Sequence, residues 1–130
     1  MKIKKCFFSF LVLLIALISP KCSLAEEKIE VVPLIQTSKG LSGESFNYLE
    51  GEPELRLLRV KIPLGLKTPI HKHPSPMLIY VTRGKLKHVR GKVINTFRAG
   101  DVFVESNNGG EHYVKSIGKT LPLFMLVLFQ

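Results

Sequence analysis

The chain has 130 residues, with 19 Lys and Arg against 10 Asp and Glu and only two cysteines. That length allows one domain. The basic residues are scattered, with no block of five like charges, so nothing resembles a nucleic-acid-binding arm.

The N-terminus reads as a leader. Met1–Lys5 carries three lysines, Phe7–Ile18 is a near-continuous apolar run, and Ser23-Leu24-Ala25 ends on small residues. This three-part layout is that of a secretory signal peptide at residues 1–25, with Glu26 as the mature N-terminus. The run is too short for a bilayer span, which needs roughly 20 apolar residues. The expected location is therefore periplasmic or extracellular, with no membrane insertion after cleavage. Cleavage there would remove Cys6 and Cys22 and leave the mature chain without a disulfide. It also leaves 15 basic residues against 10 acidic ones. Export and the lack of a basic helix argue against a nucleic-acid partner.

Residues 26–54 read as an N-terminal segment. Val31–Ile35 is apolar, either an edge strand or a clasp on a second subunit. Ser38–Ser45 is a Gly- and Ser-rich loop, and Phe46–Leu49 a short strand closed by Glu50-Gly51-Glu52-Pro53. From Leu55 a barrel is expected to run to Gln130. In Leu55–Ile62, Leu58, Val60 and Ile62 alternate with Arg59 and Lys61, the period of a half-buried strand. Pro63 and Gly65 close it.

In His71–Val81 the prolines Pro69, Pro74 and Pro76 rule out a helix and predict an irregular, bulged strand. Leu78–Thr82 is a cleaner strand. Lys85–Arg90 and Val93–Arg98 flank a hairpin turn at Arg90-Gly91-Lys92. Ala99-Gly100-Asp101 turns into Val102–Glu105. Asn107-Asn108-Gly109-Gly110 is a strong turn, His112–Lys115 a strand, and Leu121–Phe129 a final apolar strand. Short strands with turns at this spacing, and no amphipathic helix after the leader, predict an all-β sandwich or barrel.

The chemistry concentrates on three histidines. His71 and His73 are two residues apart, so in extended backbone they project to one face. That face continues through Ser75, Met77, Ile79 and Val81, the apolar side. His112 lies far downstream, beside the Gly-rich turn. Two ligands from one segment and one from a distant strand make a three-histidine metal site inside a barrel. His88 has no such partner and reads as a strand residue without a ligand role. Glu105 and Glu111 are the carboxylates nearest His112 in sequence. Either could orient a ligand imidazole or move a proton as the catalytic acid or base.

The sequence resembles the cupin family at these residues. The first cupin motif matches at Gly65, His71, His73 and Gly84, with Met77 where glutamate is usual. The second matches at Gly100 and His112, with Ser116 near the asparagine position. There Ser106-Asn-Asn-Gly-Gly replaces Pro-x-Gly and carries one extra residue. The resemblance spans about Leu55 to Phe129. It implies a jelly-roll (double-stranded β-helix) barrel, a divalent metal held by His71, His73 and His112, and a small-molecule substrate or ligand. Single-domain cupins of this kind include quercetin-type dioxygenases, isomerases and decarboxylases, and commonly form homodimers. Met77 is a soft, neutral thioether and does not replace a carboxylate for a hard cation. Three neutral imidazoles suit Zn²⁺ with an open fourth position, or Fe²⁺, Ni²⁺, Mn²⁺ or Cu²⁺ with waters. The missing negative charge implies weaker binding, most of all for Mn²⁺, and leaves a non-catalytic ligand- or metal-binding barrel as the alternative.

Overall fold

Period-two alternation produces strands from Leu55 onward. The computed structural model describes residues 29–129, so the leader and cleavage site lie outside the described residues. Among the described residues there are seven strands and no helix: β1 (Leu55–Lys61), β2 (Met77–Arg83), β3 (Lys85–Arg90), β4 (Val93–Arg98), β5 (Val102–Glu105), β6 (Tyr113–Ile117) and β7 (Leu123–Phe129). They form two antiparallel sheets, β1-β7-β2-β5 and β4-β3-β6. The chain passes from the first sheet to the second after β2, returns at β5, crosses again at β6 and returns at β7. This wrapping of two sheets around one core is the expected all-β jelly-roll class.

The interior follows from the pleat. Met77, Ile79 and Val81 of β2 point inward while Tyr80 is exposed, and Leu86, Phe103, Val114, Phe124 and Leu126 meet them from the other strands. Burying each such side chain contributes about 1.5–3 kcal/mol. Phe97 of β4 stacks on Phe103 of β5, with centroids 3.9 Å apart, and so joins the two sheets. The same alternation carries polar residues inward: His88 shares a face with Leu86, Glu105 with Phe103, and Ser116 with Val114.

Three local expectations need correction. Val31–Ile35 and Phe46–Leu49 form no strand. Residues 39–47 act instead as a strap: Leu41 N–H donates to Val104 O at 2.8 Å, and Asn108 Nδ2 donates to Ser45 O at 2.9 Å. β1 is half-buried only at its end, where Val60 and then Ile62 turn inward, while Leu57 is 65% exposed. The reason is topological. β1 is an edge strand of the wider, four-stranded sheet, and the three-stranded sheet opposite is narrower.

The two motif glycines 65 and 84 separate cleanly. Both have positive φ, +78° and +74°. A Cβ at Gly65 would meet nothing within 4 Å, whereas one at Gly84 would lie 2.7 Å from Pro122 Cα and 2.8 Å from Thr120 O. Gly65→Ala is expected to cost only the left-handed backbone penalty, about 1–2 kcal/mol. Gly84→Ala must also displace the backbone leading into β7, so its loss in urea unfolding should exceed that of Gly65→Ala by about 1 kcal/mol or more. Equal losses would contradict the close approach.

Candidate metal centre

The prolines act as expected. β2 begins only at Met77, and His71 and His73 lie in the irregular segment before it. His71 is nevertheless fixed, because its backbone forms an isolated bridge with His112. Each N–H donates to the other's carbonyl at 2.9 Å. His73, two residues on, returns to the same face. The three rings converge with centroids 4.5–4.9 Å apart, and their ligating atoms all lie within 4.8 Å of one another.

Hydrogen bonds behind the rings set the tautomers. His71 Nδ1 lies 2.8 Å from Pro69 O, and His112 Nδ1 lies 3.3 Å from Gly110 O. A carbonyl only accepts, so each Nδ1 carries the hydrogen and each Nε2 keeps its lone pair facing the cluster. His73 Nε2 is 3.2 Å from His112 Nε2. Two imidazole nitrogens sharing one ion at about 2.1 Å, at tetrahedral to octahedral angles, are roughly 3.0–3.4 Å apart. The donor set therefore fits a divalent transition metal.

Behind this trio sits a buried charged cluster that sequence reasoning missed in part. His88 is not without a partner. It is fully buried, its ring stacks on His112 at 4.6 Å, and its Nε2 lies 2.5 Å from Glu105 Oε1. The alternation Leu86–His88 on β3 was the signal that it faces inward. Glu105 is 2% exposed, and its Oε2 accepts from Arg90 Nη2 at 2.7 Å. Arg90 Nη1 reaches Glu44 Oε1 at 3.1 Å and Ser42 Oγ at 2.7 Å in the strap. A side chain at Gly109 would collide with this guanidinium at 2.6 Å. Glu105 Oε1 is 3.8 Å from His112 Nε2. Glu111 is exposed and does not line the cavity.

Burial, then the neighbouring His112, holds His73 down to about 4. Burial likewise lowers His112. Both rings are thus neutral at pH 7, as ligands must be. Burial alone would raise Glu105, but His88, His112 and Arg90 together bring it below the usual carboxylate range. The stability consequence has a definite sign. Between pH 6.5 and about 4 the unfolded chain takes up protons at position 73 that the folded chain refuses, so stability falls as pH falls. His112 acts in the same sense, and Glu105 extends the loss to lower pH. The urea midpoint of the metal-free protein is expected to be level above pH 7 and to drop steadily from pH 6.5 to 4.5. His73→Gln should flatten that drop, and an unchanged slope would contradict it.

His71, His73, His112, Glu105 and Thr68 form the polar part of a cavity of about 170 Å³, whose walls include Ile79, Leu86, Phe103, Phe124 and Leu126. A larger, more open cleft of about 360 Å³ at Gly84, Arg98 and Lys119 carries no histidine or carboxylate.

A family model described as Cupin domain matches residues 58–129. No curated protein matches the sequence. Among solved structures, the polyketide cyclase RemF from Streptomyces resistomycificus is similar at 19% identity and TM-score 0.52, over 58% of this chain and 54% of that one. The DMSP lyase DddQ from Ruegeria pomeroyi DSS-3 is similar at 19% identity and TM-score 0.51, over 58% of this chain and 38% of that one. A cupin domain from Bordetella pertussis Tohama I is similar at 19% identity and TM-score 0.51, over 63% of this chain and 86% of that one. The chain thus spans about half the length of the cyclase and about two fifths of the lyase. At these identities the likeness is one of fold.

Proposed function

The chain belongs to the cupin family, and from that premise we propose an exported single-domain barrel that holds a divalent transition metal at His71, His73 and His112 and binds or transforms a small molecule beside it. The observation that carries this reading is the convergence of the three rings, with their ligating atoms within 4.8 Å, at the cavity. When bound, such an ion supplies a Lewis acid with positions open to an oxygen-donor ligand. The remaining work falls to the chain. The apolar walls exclude water and select for an apolar body. The cavity is about 170 Å³, room for roughly a benzene-sized group. A flavonol would leave most of its rings outside, whereas a keto acid or enediol of a few carbons would fit whole.

In an enzymatic reading, of dioxygenase or isomerase type, Glu105 moves the proton, being the one carboxylate among the described residues that lines the cavity. Its contact with Arg90 favours the second reading, a non-catalytic binding module. A carboxylate held ionised by a guanidinium is a fixed anion and a poor proton acceptor. The reactions of the cyclase and lyase do not carry over at this identity. Plasma mass spectrometry of the purified protein is expected to find about one divalent transition metal per chain, lost to a chelator. A protein that neither retains nor takes up metal would contradict the proposal. Stoichiometric metal with no turnover across flavonols and keto acids would select the binding module.

Export and dimerisation complete the proposal. The mature chain is expected to begin at Glu26. Val31–Ile35 serves as a clasp on a second copy, and a form lacking residues 26–36 is expected to lose its dimer mass in light scattering. Retention of that mass would exclude the clasp.

A further inference from the structure

The pleat that turns Leu86, His88, Val114 and Ser116 inward sends their neighbours on β3 and β6 outward. Basic residues that are scattered along the chain are gathered there. In-register pairing lays rows of side chains across the outer face of the β4-β3-β6 sheet. One row is Ile94, Val89 and Tyr113. The next is Thr96, Lys87 and Lys115, and an isolated bridge adds Lys67 beside Lys115. The last is Arg98, Lys85 and Ile117. No Asp or Glu occupies any of these positions.

Like charges directly opposite one another in a sheet repel. Here Lys85 stands opposite Arg98, Lys87 opposite Lys115, and Lys115 opposite Lys67. Among the described residues these side chains form no ion pair. Asp101, the acid nearest Arg98 in sequence, accepts from its backbone N–H. Lysines on an edge strand serve to block sheet-to-sheet pairing, but β3 is the central strand, and residues 67–71 cover β6. The last row opens into the cleft of about 360 Å³, where Lys119 joins Lys85 and Arg98. Folding alone gains nothing from this pattern, whereas an anionic partner relieves it.

We propose that this face is a docking surface for a bilayer of anionic phospholipid, with lipid phosphates over the lysines and in the cleft and with no spanning segment. The apolar row decides between a bilayer and a dissolved polyanion. Ile94 is 58% exposed, and Val89 and Tyr113 continue its row. A phosphate chain in solution offers nothing to Ile94. A bilayer takes an aliphatic side chain and an aromatic ring at its interface while its headgroups answer the cations. Lys67 Nζ lies 4.6 Å from the centre of the Tyr113 ring, so the charged and apolar parts share one surface. Leu86 and Val114, which line the metal cavity, point the other way, so the docking face and the metal centre are separate.

The test is co-sedimentation of the protein, as its host matures it, with vesicles of phosphatidylcholine alone or mixed equally with phosphatidylglycerol. The natural sequence is compared with an on-face variant, Lys85→Gln with Lys87→Gln and Lys115→Gln. An off-face variant of equal charge, Lys39→Gln with Arg59→Gln and Lys61→Gln, and Ile94→Ser complete the set, with urea unfolding confirming that each is folded. Binding is expected to the anionic vesicles only, and to be lost between about 0.1 M and about 1 M salt. A basic residue near an anionic surface is worth about fivefold in partition. The on-face variant should therefore bind about a hundredfold more weakly and the off-face variant within about fivefold of the natural protein. Ile94→Ser should weaken binding severalfold. Equal losses in the two charge variants would reduce the effect to net charge and overturn the proposal. So would unaltered binding in the on-face variant, or no binding to anionic vesicles. Tighter binding to inorganic polyphosphate than to the vesicles, with no effect of Ile94→Ser, would overturn it in favour of a dissolved polyanion. Zn²⁺ titration of the on-face variant, expected to be unchanged, keeps the result separate from the metal centre.

Discussion

Replacing His73 with alanine is expected to weaken Zn²⁺ binding by at least about a hundredfold while leaving the metal-free fold intact. Losing an outer-shell partner of a metal ligand typically costs 10–100-fold, and losing a ligand should cost at least as much. The fold is spared because the His73 ring supports nothing else. Its one polar contact is with His112 Nε2, and it is only half-buried. His71 and His112 differ, since their backbones bridge the segment before β2 to β6. His88→Ala gives the opposite profile. It removes a buried ring stacked on His112 and should lower stability more than affinity. Isothermal titration with Zn²⁺ alongside urea unfolding separates the two. Unaltered Zn²⁺ affinity in His73→Ala would remove this residue from the site.

Arg90→Met is expected to destabilise the domain by about 3–5 kcal/mol, the range for leaving a buried ionic partner uncompensated. Arg90 links the strap through Ser42 and Glu44 to the interior through Glu105. Methionine keeps much of the apolar stem, so the loss isolates the guanidinium. A loss of this size is a large share of the 5–15 kcal/mol that holds a typical domain together. Bound metal should return part of it, because the cation answers the stranded Glu105. Glu105→Gln in the Arg90→Met background should also recover part of it, a coupling that a double-mutant cycle in urea reads directly. A loss below about 1 kcal/mol would mean that the ion pairs are solvated and weak.

Much of this arrangement was legible in the chain. The alternation in Lys85–Arg90 and Val93–Arg98 with Gly91 between them reads directly as the β3–β4 hairpin. The i, i+2 interval between His71 and His73 puts both rings on one side in extended backbone, and the rings do come together although β2 begins only at Met77. What stayed hidden depends on pairing between distant strands. No local pattern says that Met77 of β2 stands opposite Glu105 of β5, or that His88 of β3 reaches that same carboxylate. Register of that kind is set by the packed whole. The exposure of Leu57 was hidden for the same reason, since alternation reveals a face but not whether another sheet covers it. Phe46–Leu49 has strand-like composition yet forms no strand. Asn47 N–H donates to the Asn107 side-chain oxygen, while the Asn107 and Asn108 amides donate to the carbonyls of Asn47 and Ser45, tying this backbone into the strap.

The most direct measurement is anomalous diffraction at the zinc edge from crystals of the full protein soaked in Zn²⁺. The account predicts one dominant peak per chain, in ligating contact with nitrogens of His71, His73 and His112. A cavity without a peak in soaked crystals, or a dominant peak elsewhere on the surface, would contradict it.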